Sequence, residues 1–295
     1  MNFELKTWSE QQLVLVEQAL SFWVREQTPA NLGEVMRYGV LDGGKRLRPL
    51  LVLAAAQAVE GNLEAALRAA CSVELIHAYS LIHDDMPCMD NDVLRRNKPT
   101  VHVQYGEASA LLAGDAMQAL AFEILATPSE KIDPAMGAQL CYLLAKAAGQ
   151  DGMAGGQAID LASVGKSLNH QELQKMHELK TGALLKASVV MGAMCGQVSP
   201  AVLEQLSIFG EKIGLAFQVV DDILDVTADS AVLGKTAGKD AMQNKPTYVS
   251  ILGMDNATEL AQTLYKEALM ALQNTKLSHQ QPLAELAAMV VTRAH

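Results

Sequence analysis

Apolar residues recur at helical spacing along almost the whole chain. Repeats at i, i+3, i+4 and i+7 are typical of amphipathic α-helices. They predict helices near residues 8–26, 31–40, 45–60, 62–86, 108–126, 133–150, 170–194, 200–227, 256–273 and 282–293. The segments between them contain Gly, Pro or Asn, as in LDGGKR, MPCMDND, AGGQ and QVSP, and none is long enough to link two domains. The pattern therefore predicts an all-α chain that forms a single domain over residues 1–295.

The composition supports helices and limits the classes of partner. Half of the 295 residues are hydrophobic but only 4% are aromatic, and Ala, Leu and Met favour helices over strands. The formal net charge of −10 argues against nucleic acid as a partner, because no broad basic surface is available. A small anionic ligand remains possible, since bound metal ions can reverse the local charge.

The cysteines and the N-terminal segment predict a soluble cytoplasmic protein. None of the four cysteines forms a CxxC pair, which suits reduced thiols: Cys71, Cys88, Cys141 and Cys195. The first residues, MNFELKTWSEQQ, lack the basic and apolar regions of a signal peptide. We expect no membrane span, because no apolar run approaches the roughly 18 residues that one requires.

The segment LIHDDMPCMDNDVLRR, residues 81–96, joins four carboxylates to two arginines: Asp84, Asp85, Asp90, Asp92, Arg95 and Arg96. On a straight helix Asp90 would lie about 240° around the axis from Asp84. Pro87 disfavours helix at the preceding residue, so we expect a break that brings Asp90 back beside Asp84. Clustered carboxylates suit Mg²⁺. An acidic helix end in water is an alternative that this segment alone leaves open.

A second acidic cluster occurs in FQVVDDILDV, with Asp221, Asp222 and Asp225. Asp221 and Asp225 are four residues apart and project from one helix face. The flanking residues are almost all apolar, which indicates a buried helix. Carboxylates in such a helix are costly unless they are paired or bind a metal. Two facing clusters of this kind would hold divalent cations that grip a diphosphate.

Basic residues occur in two further segments and at His77. GGKRLRP places Lys45, Arg46 and Arg48 at a predicted helix start, where anions bind well, although a generic basic cap is the alternative. His77 lies two turns before Asp84, and a structural role is the alternative for it. The segment LGKTAGKDAMQNKPTY is a candidate lid over residues 230–245, expected to become ordered on substrate binding; it contains Gly234, Lys235, Gly238, Lys239 and Lys245.

Together these motifs resemble the trans-isoprenyl diphosphate synthase family over nearly the whole chain. The shared segments, in the family's order, are GGKRLRP, HAYSLIHDDMPCMDNDVLRR, GDAMQALAFEIL, GGQAIDL, KTGALL, AFQVVDDILDV, LGKTAGKD and KPTY. Within the family the chain is most similar to bacterial farnesyl diphosphate synthases, since four residues separate the first Asp pair from the last Asp in DDMPCMD. The C-terminal TRAH departs from the family's basic tail, which leaves only Arg293 to replace that tail and makes any role of His295 doubtful.

The resemblance implies a fold and a reaction. The fold is an all-α isoprenoid synthase bundle around a deep central cavity, usually a homodimer. The reaction is the Mg²⁺-dependent condensation of isopentenyl diphosphate with dimethylallyl or geranyl diphosphate to give farnesyl diphosphate. It proceeds by ionisation of the allylic substrate, condensation and loss of a proton.

The resemblance also implies roles for individual residues. Three Mg²⁺ ions would be held by Asp84, Asp85, Asp90, Asp221, Asp222 and Asp225. The allylic diphosphate would contact Arg95, Lys180, Lys235 and Lys245. Isopentenyl diphosphate would contact Gly44, Lys45, Arg48, His77 and Arg96. Lys180, Thr181 and Gln218 would be catalytic, the last two as oxygen dipoles near the allylic cation.

The product length is predicted from the helix before Asp84. Tyr79 lies five residues earlier, about 7.5 Å deeper along the helix. With Ser80 beside it, its ring would form the floor of the cavity. In the family an aromatic near this position goes with short products, so the resemblance implies that the product stops at farnesyl (C15). In the alternative, Tyr79 is a core aromatic whose hydroxyl finds a partner, and the enzyme is a geranylgeranyl (C20) diphosphate synthase.

Two functions of other classes remain as alternatives. A helical HD-type metal phosphohydrolase is suggested by the adjacent His83 and Asp84, but it requires further His ligands and leaves DDILD unexplained. A non-catalytic helical partner, which binds metal or regulates chain length, would not need to keep both acidic motifs and every basic position.

Overall fold

The computed structural model describes residues 3–41, 43–166, 168–227 and 246–292, and these form an almost entirely helical bundle. The all-α prediction is confirmed. The helices are α1 Leu5–Trp23, α2 Leu32–Val40, α3 Leu47–Ala58, α4 Leu63–Asp84, α5 Val101–Tyr105, α6 Glu107–Ala126, α7 Pro134–Ala148, α8 Met153–Ala162, α9 His170–His177, α10 Ala183–Met194, α11 Pro200–Thr227, α12 Tyr248–Leu252, α13 Met254–Asn274 and α14 Gln281–Thr292. A 3₁₀ turn covers Pro29–Asn31, a π-helical turn covers Glu178–Gly182, and strands β1 Leu94–Arg95 and β2 Lys98–Pro99 pair antiparallel.

Several helices begin at side chains that cap them. Asn62 accepts a hydrogen bond from the backbone N–H of Ala65 at the start of α4. Asn169 and Glu172 form a reciprocal capping box at the start of α9. Such caps satisfy backbone donors that the first helical turn leaves without partners. They explain why predicted and observed starts agree within a few residues.

The region around residues 153–194 differs from the prediction. AGGQ was expected to be a break, but it lies within α8. A Cβ on Gly156 would be 2.1 Å from the backbone nitrogen of Lys180, so this glycine allows close packing instead of ending the helix. The helix predicted over 170–194 is interrupted by the π-helical turn at Glu178–Gly182, which packs against α8.

Two hydrophobic clusters form the core. The first surrounds α4 and α6 and includes Leu75 and Met117. The second surrounds α11, α13 and α14 and includes Phe209 and Leu286. Helices α3 and α10 contribute buried residues to both clusters, so they join the two halves of the bundle.

Two helices within the described ranges, α4 and α6, are long and apolar enough to cross a membrane by length and composition alone. The expectation that no apolar run approaches this length was therefore wrong. Of the most apolar stretch in each helix, 67% is buried inside the protein in α4 and 39% in α6. Core helices of soluble proteins meet the same criterion.

We predict that Gly192→Ala destabilises the junction between α3 and α10. A Cβ at position 192 would be 2.2 Å from the carbonyl oxygen of Val52 and 2.9 Å from the Cβ of Ala55. Overpacking of this kind costs about 1–3 kcal/mol. Urea denaturation should show that loss in the free energy of unfolding. The exposed Ala145→Ser is the control, and equal stability of the two variants would contradict the prediction.

Candidate functional site

A cavity of about 520 Å³ lies among α4, α11, the start of α3 and the π-helical turn. Its walls bring together most residues that the sequence predicts for the site: Gly44, Lys45, Arg48, His77, Asp84, Asp90, Arg95, Arg96, Lys180, Thr181, Gln218, Asp221, Asp222 and Asp225. The remaining described candidates, Tyr79, Ser80 and Asp85, are absent from this lining. Lys235, Lys245, the candidate lid over 230–245 and the tail residues 293–295 lie outside the described residues.

The chain turns back after α4 and returns Asp90 to Asp84. Helix α4 ends at Asp84, and the backbone N–H of Asp90 donates to the carbonyl oxygen of Asp84 at 2.8 Å. Likewise the N–H of Asp92 donates to the carbonyl oxygen of Asp85 at 3.1 Å. The expected break before Pro87 is therefore confirmed, and Asp84 and Asp90 both line the cavity.

Electrostatics at this turn favour a bound cation. Burial raises the pKa of Asp84 to about 6 with the help of the nearby charges of Asp90 and Asp85, against the opposing effect of Lys180 and Arg95. An acidic helix end in water would not bury its carboxylates, yet Asp85 is only 2% exposed. The solvated alternative therefore does not describe this segment.

Asp85 pairs with Arg95 rather than lining the cavity. Nε of Arg95 donates to both carboxylate oxygens, at 3.0 and 2.8 Å, and Nη2 donates to Oδ1 at 2.6 Å. A forked arrangement of this kind fixes both side chains. This contact orients Arg95 at the cavity, and the metal role expected of Asp85 stays a prediction.

The second acidic cluster is buried, as its apolar flanks predict. Asp222 is 3% and Asp225 is 6% exposed. Asp222 accepts from Nε2 of Gln218 at 2.9 Å through one oxygen and from the backbone N–H of Tyr248 at 2.8 Å through the other. The Thr181 hydroxyl in turn donates to Oε1 of Gln218 at 3.0 Å. Asp222 therefore sets the orientation of the Gln218 amide and, through it, of the Thr181 hydroxyl.

Lys180 has a partner that the sequence analysis missed. Its Nζ contacts Oδ2 of Asp160 at 2.5 Å, and Asp160 also lines the cavity. Asp160 belongs to GGQAIDL, where a carboxylate on an otherwise apolar helix was a signal that could have been used. The close approach at Gly156 brings α8 to the backbone of Lys180.

One end of the cavity, the basic end, is lined by Gly44, Lys45, Arg48, His77 and Arg96. Unusual backbone conformations shape it. Arg96 and Asn97 have φ of 53° and 61° between the two strands, as a tight hairpin requires. Gly44 has φ of +92°, and a Cβ there would lie 2.5 Å from Nη2 of Arg96. Glycine at this position therefore admits the Arg96 guanidinium to the cavity wall.

Charges at this end of the cavity act on one another. Burial, together with Arg48, Arg96, Arg95 and Arg46, lowers the pKa of His77 well below its usual value, so His77 is neutral. Burial also lowers the pKa of Arg48 to about 10, against the opposing effect of Glu74. Nε of Arg48 is buried and has no hydrogen-bond partner in the described part of the chain. This end can therefore accept an anion.

Tyr79 packs between α4 and α6. Its ring contacts that of His83 edge to face, with centroids 5.7 Å apart. Burial and the nearby charge of Asp84 raise the pKa of its hydroxyl, against the opposing effect of Gln118 on α6. Ser80 donates its hydroxyl to the carbonyl oxygen of His77 at 2.9 Å. These contacts match the alternative in which Tyr79 is a core aromatic.

The donor set suits Mg²⁺, provided that both acidic clusters share the ions. Among the residues that the structure describes, no group of three or more His, Cys, Asp or Glu could hold a metal ion by itself. Asp84, Asp90 and Asp221 line the same cavity and offer only oxygen ligands. Mg²⁺ commonly binds through one or two carboxylates together with substrate phosphates. The residues therefore fit a site that is completed by a diphosphate.

Comparisons with known proteins agree with this geometry. A model of the Polyprenyl synthetase family matches residues 29–286. A chloroplastic geranylgeranyl pyrophosphate synthase of Capsicum annuum is 45% identical over 292 residues, which cover 99% of this chain and 79% of that protein. Further relatives from Arabidopsis thaliana and Catharanthus roseus, 42–46% identical, are also named geranylgeranyl pyrophosphate synthases.

Solved structures share the whole fold. An FPP/GFPP synthase from Zymomonas mobilis superimposes with a TM-score of 0.86 at 42% identity, covering 97% of this chain and 98% of that one. A geranyltransferase from Helicobacter pylori, complexed with magnesium and isoprenyl diphosphate, gives a TM-score of 0.86 at 35% identity and covers 99% of each chain. Motifs, fold and relatives thus agree that this chain belongs to the Polyprenyl synthetase family, the Mg²⁺-dependent trans-isoprenyl diphosphate synthases, and is a prenyltransferase.

Proposed function

We propose that the chain joins isopentenyl diphosphate to an allylic diphosphate, dimethylallyl or geranyl diphosphate, and releases inorganic diphosphate. The observation that carries this proposal is the cavity itself, where two carboxylate clusters and a set of basic side chains face one space. The HD-type phosphohydrolase is set aside by the family match. A non-catalytic partner would not need this complete set of acidic and basic positions.

The two ends of the cavity would bind the two substrates. Asp84, Asp90 and Asp221 would hold Mg²⁺, as many as three ions, which neutralise the leaving diphosphate when bound. Lys180 and Arg95 would contact the same diphosphate. The basic end would bind isopentenyl diphosphate through Gly44, Lys45, Arg48, His77 and Arg96.

The side chains at the centre would stabilise the allylic cation. Because the Thr181 hydroxyl donates to Gln218, its lone pairs are available to the developing positive charge, as preorganised dipoles are in electrostatic catalysis. The double bond of isopentenyl diphosphate attacks the cation, and a proton leaves the condensed product. The lowered pKa of His77 makes it a weak base, so the released diphosphate is our choice of acceptor for that proton.

Asp222 would act by positioning and not as a metal ligand. Both of its oxygens already accept hydrogen bonds from Gln218 and Tyr248. In Asp222→Asn one of the two accepting oxygens is replaced by an NH₂ group. Because the backbone N–H of Tyr248 cannot turn, the Asn oxygen would keep that hydrogen bond, and the new NH₂ group would face Nε2 of Gln218. The Gln218 amide must then turn. The Gln218 dipole beside Thr181 would then be reversed or lost.

We predict that magnesium titrations separate the aspartates. Asp84→Asn and Asp221→Asn should raise the Mg²⁺ concentration for half-maximal activity and lower kcat by at least a hundredfold. Asp222→Asn should lower kcat by about 10–100-fold with an unchanged Mg²⁺ requirement. Steady-state assays with labelled isopentenyl diphosphate measure both quantities. If Asp222→Asn shifts the Mg²⁺ requirement as Asp221→Asn does, Asp222 is a ligand; full activity of Asp84→Asn would reject the proposed reaction.

For the product we propose geranylgeranyl diphosphate. The names of the plant relatives support this length, and so does the absence of Tyr79 and Ser80 from the cavity lining. Farnesyl diphosphate is the second candidate. It is favoured by the name of the Zymomonas mobilis structure and by the aromatic residue five positions before Asp84.

We expect the enzyme supplied with dimethylallyl and isopentenyl diphosphates to make mainly C20 product. Tyr79→Ala should leave that length unchanged, because Tyr79 packs on His83 and Gln118 instead of facing the cavity. Tyr79→Phe, which removes only the hydroxyl, is the matched control. Chromatography of dephosphorylated products is the measurement. A parent that stops at C15, with Tyr79→Ala making longer products, would establish the farnesyl candidate and a floor at Tyr79.

We also propose a homodimer that forms through α6 and α7. These helices pack side by side and expose large apolar residues, with Leu111 47%, Leu112 56% and Tyr142 64% accessible. Large exposed apolar residues on neighbouring helices are candidates for a protein interface. The cytoplasmic location stays a prediction, consistent with four free cysteines.

Light scattering should give the parent a mass twice the 31.6 kDa of one chain. Leu112→Glu should lower that mass towards a monomer, because a buried carboxylate would be left without a partner. Phe22→Glu is the matched control, since Phe22 is 72% exposed on α1 and should leave the mass unchanged. A monomeric parent, or equal masses for both variants, would contradict this interface.

A further inference from the structure

Arg46 lies between Lys45 and Leu47 in GGKRLRP, but it faces a different environment from the other basic residues of that segment. It is 3% exposed, whereas Lys45 is exposed and Arg48 is half-buried. Its backbone is left-handed, with φ 47° and ψ 34°, immediately before α3. A residue other than glycine rarely adopts this conformation unless its surroundings hold it there.

The guanidinium of Arg46 is held by three separate elements. Nε donates to Oε1 of Glu17 on α1 at 2.7 Å, and Nη2 lies 2.7 Å from the same oxygen. Nη1 donates to Oε1 of Glu74 on α4 at 2.6 Å, and Nη2 donates to the carbonyl oxygen of Val40, the last residue of α2, at 2.5 Å. An arginine has five N–H donors, and these contacts use most of them. Little capacity remains for a phosphate.

These contacts fix the turn that carries the two neighbouring cations. Lys45 precedes Arg46 directly, and Arg48 follows one residue later in the first turn of α3. Both line the cavity, and so do Arg46 and Glu74, although the N–H groups of Arg46 are directed at Glu17, Glu74 and Val40. If Arg46 lost its anchors, its left-handed conformation would relax and the directions of Lys45 and Arg48 would change together.

Glu74 connects this anchor to the rest of the basic end. It is 2% exposed and lies three residues before His77, on the same face of α4. Its charge raises the pKa values of both Arg46 and Arg48 against the effect of burial. Removing Arg46 would leave this buried carboxylate to pair with another cation, for which Arg48 is the nearest candidate in the same turn.

We propose that Arg46 is a positioning residue for the extender substrate: clamped by Glu17 and Glu74, it orients Lys45 and Arg48 toward a diphosphate that it does not itself touch. This inference rests on the proposed assignment of the basic end to isopentenyl diphosphate. It predicts that removing the Arg46 side chain raises the KM for isopentenyl diphosphate and leaves the KM for the allylic diphosphate unchanged.

Glu17 provides the sharpest test because it does not line the cavity and so cannot bind substrate. Arg46→Met should raise the KM for isopentenyl diphosphate about tenfold or more and leave the allylic KM within about twofold. Glu17→Gln should raise the same KM about threefold. The double variant should be no worse than Arg46→Met alone, because both act through one contact. Lys146→Met, which breaks an exposed ion pair with Asp151, is the control and should change neither KM.

Three results would overturn the proposal. Multiplicative effects in the double variant would make Arg46 a direct ligand. Equal increases in both KM values, together with a lower Tm, would make the clamp merely structural. Unchanged KM values in Arg46→Met would show that Arg46 has no role in binding isopentenyl diphosphate. If Arg46→Met does not fold, Arg46→Lys replaces it, since lysine keeps the charge but cannot span three acceptors, and it should give an intermediate KM.

A metal-free binding measurement keeps this inference separate from the proposed reaction. Calorimetry with inorganic diphosphate and no Mg²⁺ should show binding to the parent and binding about tenfold weaker to Arg46→Met. If the parent makes no prenyl product, the reaction is wrong but this comparison still decides the role of Arg46. Equal binding by the parent and Arg46→Met overturns that role.

Discussion

Charges of one sign can gather inside a protein only if charges of the other sign accompany them, and this constraint organises the whole cavity. Burial of an unpaired ion costs several kcal/mol. The chain meets part of this requirement internally, through Asp85 with Arg95 and Asp160 with Lys180. At the cavity, burial and the nearby charges of Asp90 and Asp85 raise the pKa of Asp84. The remaining compensation is what metal ions and a diphosphate can supply.

The same constraint separates residues that touch a ligand from residues that hold others in place. In each acidic motif one aspartate of the adjacent pair is committed to a protein partner, although Asp222 also borders the cavity. Asp84 lines the cavity, and Asp85 holds Arg95. Asp221 lines it, and Asp222 holds Gln218 and the backbone of Tyr248. Adjacent helical residues point about 100° apart, so a doubled aspartate serves both purposes at one position of the chain.

Much of this organisation could be predicted from the sequence, because local patterns determine it. Apolar periodicity located nearly every long helix, and Pro87 with the following aspartates indicated the turn that returns Asp90 to Asp84. The contacts of Asp85 with Arg95 and of Asp222 with the backbone of Tyr248 could not be predicted, because those partners lie on other elements. The prediction of a break at AGGQ was wrong for a related reason. Glycine is typical of helix ends, but Gly156 lies within a helix and allows it to pack closely against the backbone of Lys180, a contact that exists only in the folded chain. Tyr79 is absent from the cavity lining, and its role in setting the product length stays a prediction.

At the basic end of the cavity, the backbone adopts conformations that the sequence does not predict. Gly44, Arg46 and Arg96 all have positive φ, yet only the glycine would suggest this from the sequence. A left-handed arginine costs about 1–2 kcal/mol, which the contacts of Arg46 with Glu17, Glu74 and Val40 can offset. The guanidinium of Arg96 occupies the space that a side chain at Gly44 would fill, and the hairpin turn sets the conformation of Arg96. Cations that repel one another are therefore held close together before any ligand arrives, so an anion that binds here gains their combined attraction without having to assemble them.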